Sequence, residues 1–352
     1  MTEGARLLAL TTVLAIAAVA CGRTTGPNGP NLATVVAGSV QLGDVQSSLD
    51  DSSNWWAGPS TYGARPLDIS QRDDNELLFF TRRFSHVGTS EELLIRYDVW
   101  SSTALAAAIV TATQQAAPSP STSPGAGDQV IYYNENLRFG AAPFMSRALV
   151  RVGQTVADVR LTQAVGFAPS STIGKLALAV GSHLKKAVSG PVQTLPTSSP
   201  AEGSLPPVSS DIQLLGSTTL PVGAVAQMVD SPAPTDLVTL FGTLGVSNFV
   251  YGDYVLLADT HMEVQTAGFT FSSSTGASDW LNSFIGKANL DQNGDYLNFD
   301  QVSEQYIGAV GVGSHGALLI CRSTADFEAA SRACETPISR VLGAWKTSLP
   351  PG

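Results

Sequence analysis

The chain has 352 residues, a formal net charge of −10 and only 14% charged residues. This length predicts about two domains, each large enough to bury its own core. The acidic balance, with no run of lysines and arginines longer than two, argues against nucleic-acid binding. Ordinary soluble proteins have about 25% charged residues. We therefore expect a surface made largely of Ser, Thr, Gly, Gln and Asn.

The N-terminus has the pattern of a cleavable export signal. Arg6 precedes an apolar stretch over residues 7–20, and Cys21 follows directly. An apolar run of about fourteen residues is too short to cross a bilayer core of about 30 Å as a helix. This favours a signal peptide over residues 1–20. Residues 21–35 begin with a polar, Gly- and Pro-rich run and predict a tether.

The residues Ala18-Val19-Ala20-Cys21 resemble the lipobox of bacterial lipoproteins. In that family, small residues precede a cysteine that is acylated, for example with palmitate, and that becomes the mature N-terminus. The resemblance implies that Cys21 carries lipid and anchors an extracytoplasmic protein to the bacterial cell membrane. The departure from the pattern is Ala18, where the family usually has Leu. A plain secretory signal is the alternative.

The chain divides at a proline-dense segment between residues 190 and 234, which neither a continuous helix nor a central strand tolerates. We predict a first domain over 36–190, a linker over 191–210 and a second domain over 211–350. The order strand, strand, helix, strand, strand, helix recurs in both halves and predicts an internal duplication. The predicted fold class is α+β, with two similar domains, each an antiparallel sheet with helices on one face.

The predicted elements follow from apolar periodicity and turn residues. The first half has strands at 77–84, 92–100, 129–133, 146–152 and 155–162, with helices at 103–115 and 172–188. The second has strands at 248–257, 261–271, 305–312 and 317–322, a helix after the cap at 272–274 and a final helix at 337–349. Residues 212–229 are apolar enough for a further strand or helix. Four apolar residues at i, i+4 spacing predict the buried face of helix 172–188: Leu176, Val180, Leu184 and Val188.

Cys321 and Cys334 are the cysteines that remain after Cys21. An even pair in an oxidising compartment favours a disulfide over two free thiols. A metal site would need more ligands than this pair supplies, and no His-rich neighbourhood provides them. We expect neither a metal nor a cofactor.

Three motifs match short functional patterns only in part. Residues 291–295 begin like a calcium loop, but Tyr296 and Val302 stand where the loop needs Gly and Glu, which favours a polar turn. Ser182 and Lys185 match Ser-x-x-Lys at the wrong end of a helix, without its companion motifs. Residues 311–316 match Gly-x-Gly-x-x-Gly, but a strand and not a helix follows, so a hairpin turn is predicted.

The four histidines are scattered singly along the chain: His86, His183, His261 and His315. No motif marks a nucleophile, and no catalytic residue is predicted. A Ser-His-Asp arrangement formed in three dimensions stays open, because spatial neighbours are not visible in one sequence.

Trp55 and Trp56 form the most unusual local feature, because they precede a Gly-, Pro- and Ser-containing loop. Aromatic faces in loops can contact a ligand or a partner. The alternative is that the loop folds back and the two rings close one end of the first core.

The lipobox, the tether and the duplicated modules together are similar to uncharacterised cell-envelope lipoproteins of high-GC bacteria with sensor-like domains. The resemblance implies a location and not an activity. The leading hypothesis is a non-enzymatic lipoprotein that binds a ligand or envelope partner through the cleft between its domains or through Trp55 and Trp56. A hydrolase of cell-envelope material and a structural or assembly subunit are the alternatives.

Overall fold

The computed structural model describes residues 30–49, 52–63, 76–122, 125–138, 140–191, 193–195, 204–228, 234–324 and 329–351. The predicted signal peptide, Cys21 and the tether up to residue 29 lie outside these residues, as does much of the predicted linker. Within the described part of the chain, no helix is both long and apolar enough to cross a membrane.

The first module contains four helices and eight strands among the described residues. The helices are α1 (Leu32–Ala37), α2 (Leu42–Ser48), α3 (Thr103–Ala116) and α4 (Ser170–Ser189). The strands are β1 (Trp55–Ala57), β2 (Thr61–Gly63), β3 (Glu76–His86), β4 (Glu92–Trp100), β5 (Ser121–Thr122), β6 (Gln129–Asn136), β7 (Phe144–Val152) and β8 (Thr155–Gln163). Helix α1 begins inside the range that the sequence predicts as tether.

The second module contains six strands and four helices among the described residues. The strands are β9 (Ile212–Leu220), β10 (Val246–Leu256), β11 (Met262–Phe271), β12 (Tyr296–Asp300), β13 (Gln305–Val312) and β14 (His315–Ser323). The helices are α5 (Val222–Met228), α6 (Pro234–Leu244), α7 (Ser274–Ile285) and α8 (Glu335–Ser348).

Both sheets are antiparallel and share one strand order. The first contains β3-β4-β8-β7-β6, with β1 and β2 added beside β3 and β5 beside β6. The second contains β10-β11-β14-β13-β12, with β9 added beside β10. The α+β class with two antiparallel modules is thus confirmed. That a duplication produced them stays a prediction.

The core of the first module lies on one face of its sheet. In β4, Leu93, Ile95 and Tyr97 are fully buried against the face that α4 covers. The alternate residues point to the opposite face, as the two-residue period of a strand requires. There α3 packs over a smaller apolar patch that contains Leu149 and Val156. Helices therefore cover both faces of this sheet, where the sequence predicts them on one face only.

The second module repeats this arrangement. Helix α8 packs through Val341 and Trp345 on the face that carries Leu319 and the Cys321–Cys334 disulfide. Helix α7 packs through Trp280 on the opposite face, within a group of aromatic rings. The disulfide confirms the pairing expected from the sequence. It joins β14 to the turn that precedes α8, so it fixes the last helix to the sheet.

Serine caps set where helices α3 and α7 begin. The side chain of Ser102 accepts a hydrogen bond from the backbone N–H of Leu105 at 3.1 Å, and Ser273 accepts one from Gly276 at 3.2 Å. Each cap satisfies an N–H group that has no partner within the helix. The Ser273 cap lies within the range 272–274 that the sequence predicts.

Helix α4 approaches the segment before β6 so closely that only glycine fits between them. A Cβ atom at position 181 would overlap the backbone carbonyl of Ala126. Gly181 lies on the buried side of α4, between Ala177 and Leu184. The absence of a side chain at this one position therefore sets the distance between the helix and the edge of the sheet.

We expect Gly181→Ala to lower the free energy of unfolding by about 2–3 kcal/mol, because backbone must move to admit the methyl group. Gly174→Ala on the same helix is the matched control, since a Cβ there meets nothing within 4 Å. The control should raise stability by about 0.5–1 kcal/mol, through helix propensity alone. Urea denaturation of both variants measures the difference. Equal stabilities would contradict the close approach.

Candidate functional site

The two modules meet where the sequence hypothesis places a cleft, and the described contacts there are closely packed. The backbone N–H of Ser60 donates to Asp253 Oδ2 at 2.7 Å, and the hydroxyl of Tyr62 donates to the backbone oxygen of Met262 at 2.6 Å. Leu215 and Val255 of the second sheet are buried within the core of the first module. We call the polar groups between the modules the junction.

Asp253 is the central group of the junction. It is 2% exposed, and its Oδ1 also accepts a hydrogen bond from the hydroxyl of Tyr251 at 2.6 Å. Burial, and then the nearby carboxylate of Glu263, raise the pKa of Asp253 well above its usual value. A buried carboxyl group in this environment favours the protonated form. The junction therefore contains an acid that resists ionisation.

Glu263 lies beside Asp253 on the neighbouring strand and is also buried. Its Oε2 accepts hydrogen bonds from Arg322 Nε at 2.7 Å and from Gln265 Nε2 at 3.3 Å. Its Oε1 has no hydrogen-bond partner among the described residues. Burial raises the pKa of Glu263, whereas the guanidinium of Arg322 opposes this shift. One arginine thus faces two buried carboxyl groups.

Arg82 reaches the junction from the first module. Its Nε donates to Ser39 Oγ at 3.1 Å and its Nη1 to Ser60 Oγ at 3.4 Å. A Cβ at Gly216 would lie 3.0 Å from Arg82 Nη1, so this glycine of β9 leaves room for the guanidinium. Arg82 therefore links α1, the β2 segment and the second sheet.

Trp55 and Trp56 lie at this junction. The segment expected to be a loop forms β1, which pairs with the end of β3. Trp55 is 2% exposed and packs edge-to-face on His86, with 5.4 Å between the ring centroids. Trp56 is half-buried and packs against the aromatic group of the second module. The pair joins the modules, and the contact with a ligand or partner through Trp55 and Trp56 stays a prediction.

Charged side chains cover the face of the first sheet opposite its core. Arg96 pairs with Glu76 at 2.9 Å, and Arg147 bridges Glu135 at 2.9 Å and Asp158 at 2.6 Å. Burial, and then the neighbouring Asp98, raise the pKa of Glu76 to about 8. These arginines are therefore already paired with carboxyl groups of the same face.

Apolar side chains are exposed at one end of the first sheet, where the β6–β7 loop and the loop after β8 lie side by side. Val165 is 89% exposed, and Leu137 and Phe167 are each 37% exposed. Phe144 packs edge-to-face on Phe167, with 5.3 Å between the ring centroids. We call these four residues the apolar tip. The four residues lie in two neighbouring loops, and within them Phe144 and Phe167 are in contact.

The described histidine contacts do not form a catalytic arrangement. His183 Nε2 lies 3.2 Å from Asp44 Oδ1, and His261 Nδ1 lies 3.2 Å from Asp259 Oδ1. His86 Nδ1 lies 3.1 Å from the hydroxyl of Thr89. In none of these three contacts do a hydroxyl and a carboxylate meet the same imidazole. Ser182, of the Ser-x-x-Lys match, is exposed on the outer side of α4.

The two remaining motifs are turns, as predicted. Asp291 Oδ1 accepts the backbone N–H groups of Asn293 at 2.7 Å and Asp295 at 2.9 Å, so its oxygen atom closes a polar turn. Residues 311–316 form the hairpin between β13 and β14, with Gly313 at a φ of +54°. Neither segment has the helix or ligand set that the functional motif requires.

Sequence reasoning missed the junction and the apolar tip, although each had a signal. Asp253 is the one charged residue in β10, which is otherwise apolar or uncharged. A carboxylate in such a strand indicates a buried polar partner. At the tip, the two loops contain mostly apolar residues, where polar residues are usual. Both signals depend on burial or exposure, which the sequence does not contain.

We compared the chain with known protein families, curated proteins and solved structures, and found similarity only among the solved structures. No known protein family matches the chain, and no curated protein matches it. Among solved structures, the extracellular domain of PknH from Mycobacterium tuberculosis is similar to part of it. The two chains are 12% identical with a TM-score of 0.30, over 43% of this chain and 94% of that one. Similarity at this level gives no information on function.

We expect the wild-type protein to lose stability as the pH rises, and we expect Asp253→Asn to remove part of this loss. The folded-state pKa of Asp253 lies above its unfolded value of about 3.9, so the folded chain holds this proton more tightly. The free energy of unfolding of the wild-type protein therefore falls as the pH rises from about 4. Asn stays neutral and can still accept the Ser60 N–H. The variant should be more stable than wild type at pH 8 by on the order of 1–3 kcal/mol and nearly equal at pH 4.

Chemical denaturation at pH 4, 6 and 8 measures this difference. Asp236→Asn on the exposed side of α6 is the control and should follow the wild-type curve. A variant at position 253 with an unchanged pH slope would show that Asp253 ionises normally in the folded protein.

Proposed function

We propose that this protein is an extracytoplasmic lipoprotein, anchored by lipid on Cys21, that binds a ligand or envelope partner and does not catalyse a reaction. In this proposal the two modules act as one body, because the junction buries hydrogen-bonded groups from both. Binding then uses the outer surface and not a cleft between the modules.

The apolar tip is the observation that carries the binding function. Apolar groups are normally buried, and Val165 in particular is 89% exposed, while Leu137 and Phe167 in the same two loops are each 37% exposed. Such a group contributes no burial free energy to the folded protein alone. A partner that covers the tip would recover that free energy.

The Cys321–Cys334 disulfide supports the proposed location. Disulfides persist in oxidising compartments and are rare in the cytosol. Both cysteines are fully buried, so the pair is part of the core that holds α8. This agrees with export directed by the N-terminal signal, while lipid attachment rests on the lipobox resemblance alone.

We expect mass spectrometry of the protein purified from membranes to detect an acylated peptide that begins at Cys21. The same chain with Cys21→Ser should lack this peptide and appear outside the membrane fraction, because no acyl chain can attach. An unmodified N-terminus elsewhere in the chain would contradict the lipoprotein assignment and leave the plain secretory signal.

We expect one class of envelope material, tested as separate polysaccharide, peptide and lipid fractions, to raise the Tm. Ligand at about 100 times its Kd stabilises the folded state by about 2.7 kcal/mol, a rise of several degrees. Val165→Asp should reduce the rise, whereas Val302→Asp, at an equally exposed site on the second module, should not. Consumption of any fraction by the wild-type protein would favour the hydrolase alternative.

A further inference from the structure

We propose that Ser119, Ser121 and Thr122 are acceptor sites for O-linked hexose, which is added outside the cytoplasm from a sugar carried on a lipid phosphate. This goes beyond the proposed function and rests on it only for export of the chain. The three residues lie between α3 and β6. We call residues 118–122 the acceptor segment.

The sequence of the acceptor segment combines proline with hydroxyl residues. It reads Pro118-Ser119-Pro120-Ser121-Thr122, and residues 116–127 contain no charged side chain. Proline restricts its own φ and disfavours helical backbone at the residue before it, so the segment cannot continue α3. Segments rich in Ser, Thr and Pro are typical of O-glycosylated stalks. The chain contains no Asn-x-Ser or Asn-x-Thr sequence, so the acceptor for N-linked sugar is missing.

The structure presents the acceptor segment to solvent. Helix α3 ends at Ala116, and the next residue, Ala117, has extended backbone and donates its N–H to Thr113 O at 2.8 Å. Ser119 then has a φ of +45°, in the left-handed region, so the chain turns there before it reaches β5. All three hydroxyl residues of the segment are exposed. A separate enzyme can therefore approach them without unfolding the module.

The hydroxyl groups of the acceptor segment have no hydrogen-bond partner among the described residues. Hydroxyl groups on the neighbouring helix α3 differ in this respect. Thr111 and Thr113 each donate to the carbonyl oxygen four residues earlier, at 2.9 Å. A hydroxyl held in this way must give up its hydrogen bond before it reacts. The hydroxyl groups of the acceptor segment are free to enter the active site of a transferase.

Strand β5 places two of the acceptors at the edge of the first sheet. Ser121 pairs with Tyr132 of β6, which contacts the core under α4. Thr122 pairs with Ile131, which belongs to the apolar patch under α3. Paired residues share a face of the sheet, so the two hydroxyl groups point to opposite faces.

This edge of the sheet is open beyond β5. Within the described part of the chain, residues 133–136 of β6 have a strand partner only on the β7 side. Open strand edges promote pairing between chains, and proteins commonly block them. Sugars on both faces of β5 are bulky and strongly hydrated, so they would hinder the approach of another strand. The position of the acceptors therefore gives the modification a structural role.

The transfer itself is a substitution at the anomeric carbon of the sugar. The hydroxyl oxygen forms a bond to C1 of the hexose, and the bond between C1 and the phosphate oxygen breaks. The lipid phosphate leaves with the electron pair, and the hydroxyl proton passes to a base of the transferase. Phosphorylation would instead need a nucleoside triphosphate, and the acceptor segment has no Lys or Arg that could pair with the new charge.

The test uses the full chain expressed in its native host and purified from the cell envelope. Peptide mass spectrometry with electron-transfer fragmentation keeps O-linked sugars on their residues. It should locate the mass of whole hexose units on one or more hydroxyl residues of the acceptor segment, and mild alkali should remove that mass by β-elimination. The matched control is the cluster Ser272, Ser274 and Thr275, which is also exposed but has no neighbouring proline. This cluster should be unmodified.

Three results would overturn the proposal. The first is an acceptor segment whose hydroxyl groups are all unmodified. The second is equal hexose occupancy at residues 272–275, because exposure alone would then direct the transfer. The third is the mass of phosphate in place of hexose, which would assign the segment to a kinase.

Two variants separate the roles of proline and hydroxyl. Pro118→Ala with Pro120→Ala keeps the hydroxyl groups and should lower the hexose occupancy about threefold or more, because the segment is no longer held out of helical conformation. Replacing the three hydroxyl residues by Ala should abolish the modification. Both variants should keep the wild-type Tm within about 2 °C, because the changes are on the surface. Unchanged occupancy in the proline variant would contradict recognition of a proline-containing acceptor.

Cys21→Ser keeps this result distinct from the lipid anchor. The variant cannot be acylated, but it should still be exported and should still carry hexose. An acylated protein without hexose would contradict only the glycosylation, and a glycosylated protein without acylation would contradict only the anchor. The chain without residues 1–20 should stay in the cytoplasm and lack hexose. Hexose on that chain would contradict transfer outside the cytoplasm.

Discussion

Two carboxyl groups buried between the modules, with Arg82 and Arg322 beside them, constrain the rest of the structure. Taking Asp253 and Glu263 out of water is unfavourable, and hydrogen bonds from Ser60, Tyr251 and Arg322 offset it. If the modules separated at the junction, Asp253 would lose the Ser60 N–H, and Tyr62 would lose its bond to the second sheet. The polar junction therefore specifies one arrangement of the two sheets, whose apolar cores also meet through Leu215, Val255 and Trp56.

The fold followed from the sequence wherever the signal was local. The Ser273 cap, the β13–β14 hairpin and the disulfide are found as predicted, because residues close in sequence determine them. In helix α4, the local pattern predicts the buried face correctly for three residues and not for the fourth. Leu176, Val180 and Leu184 are buried, but Val188 is 43% exposed. A four-residue spacing turns by about 40° per step relative to a helix of 3.6 residues per turn, so the fourth residue leaves the buried face.

The junction could not be predicted in this way. Ser60 and Asp253 are 193 positions apart, and Tyr62 and Met262 are 200 positions apart. No periodicity connects such pairs, and each residue alone is compatible with an exposed turn or an edge strand. Trp55 and Trp56 were noticed because they are unusual, but their burial depends on β1 joining the edge of β3. The sequence therefore predicted the modules and not how they pack together.

The closed junction and the exposed tip have a common consequence for binding. A cleft that opens on binding would have to expose two buried carboxyl groups, whose ionisation would then oppose closure near neutral pH. On one face of the first sheet the arginines are paired with carboxyl groups and α3 packs beside them, and the apolar core face is covered by α4. The tip combines exposure with apolar chemistry on a framework of three strand ends. A contact there needs no movement of one module against the other, so the junction can stay closed while the protein binds.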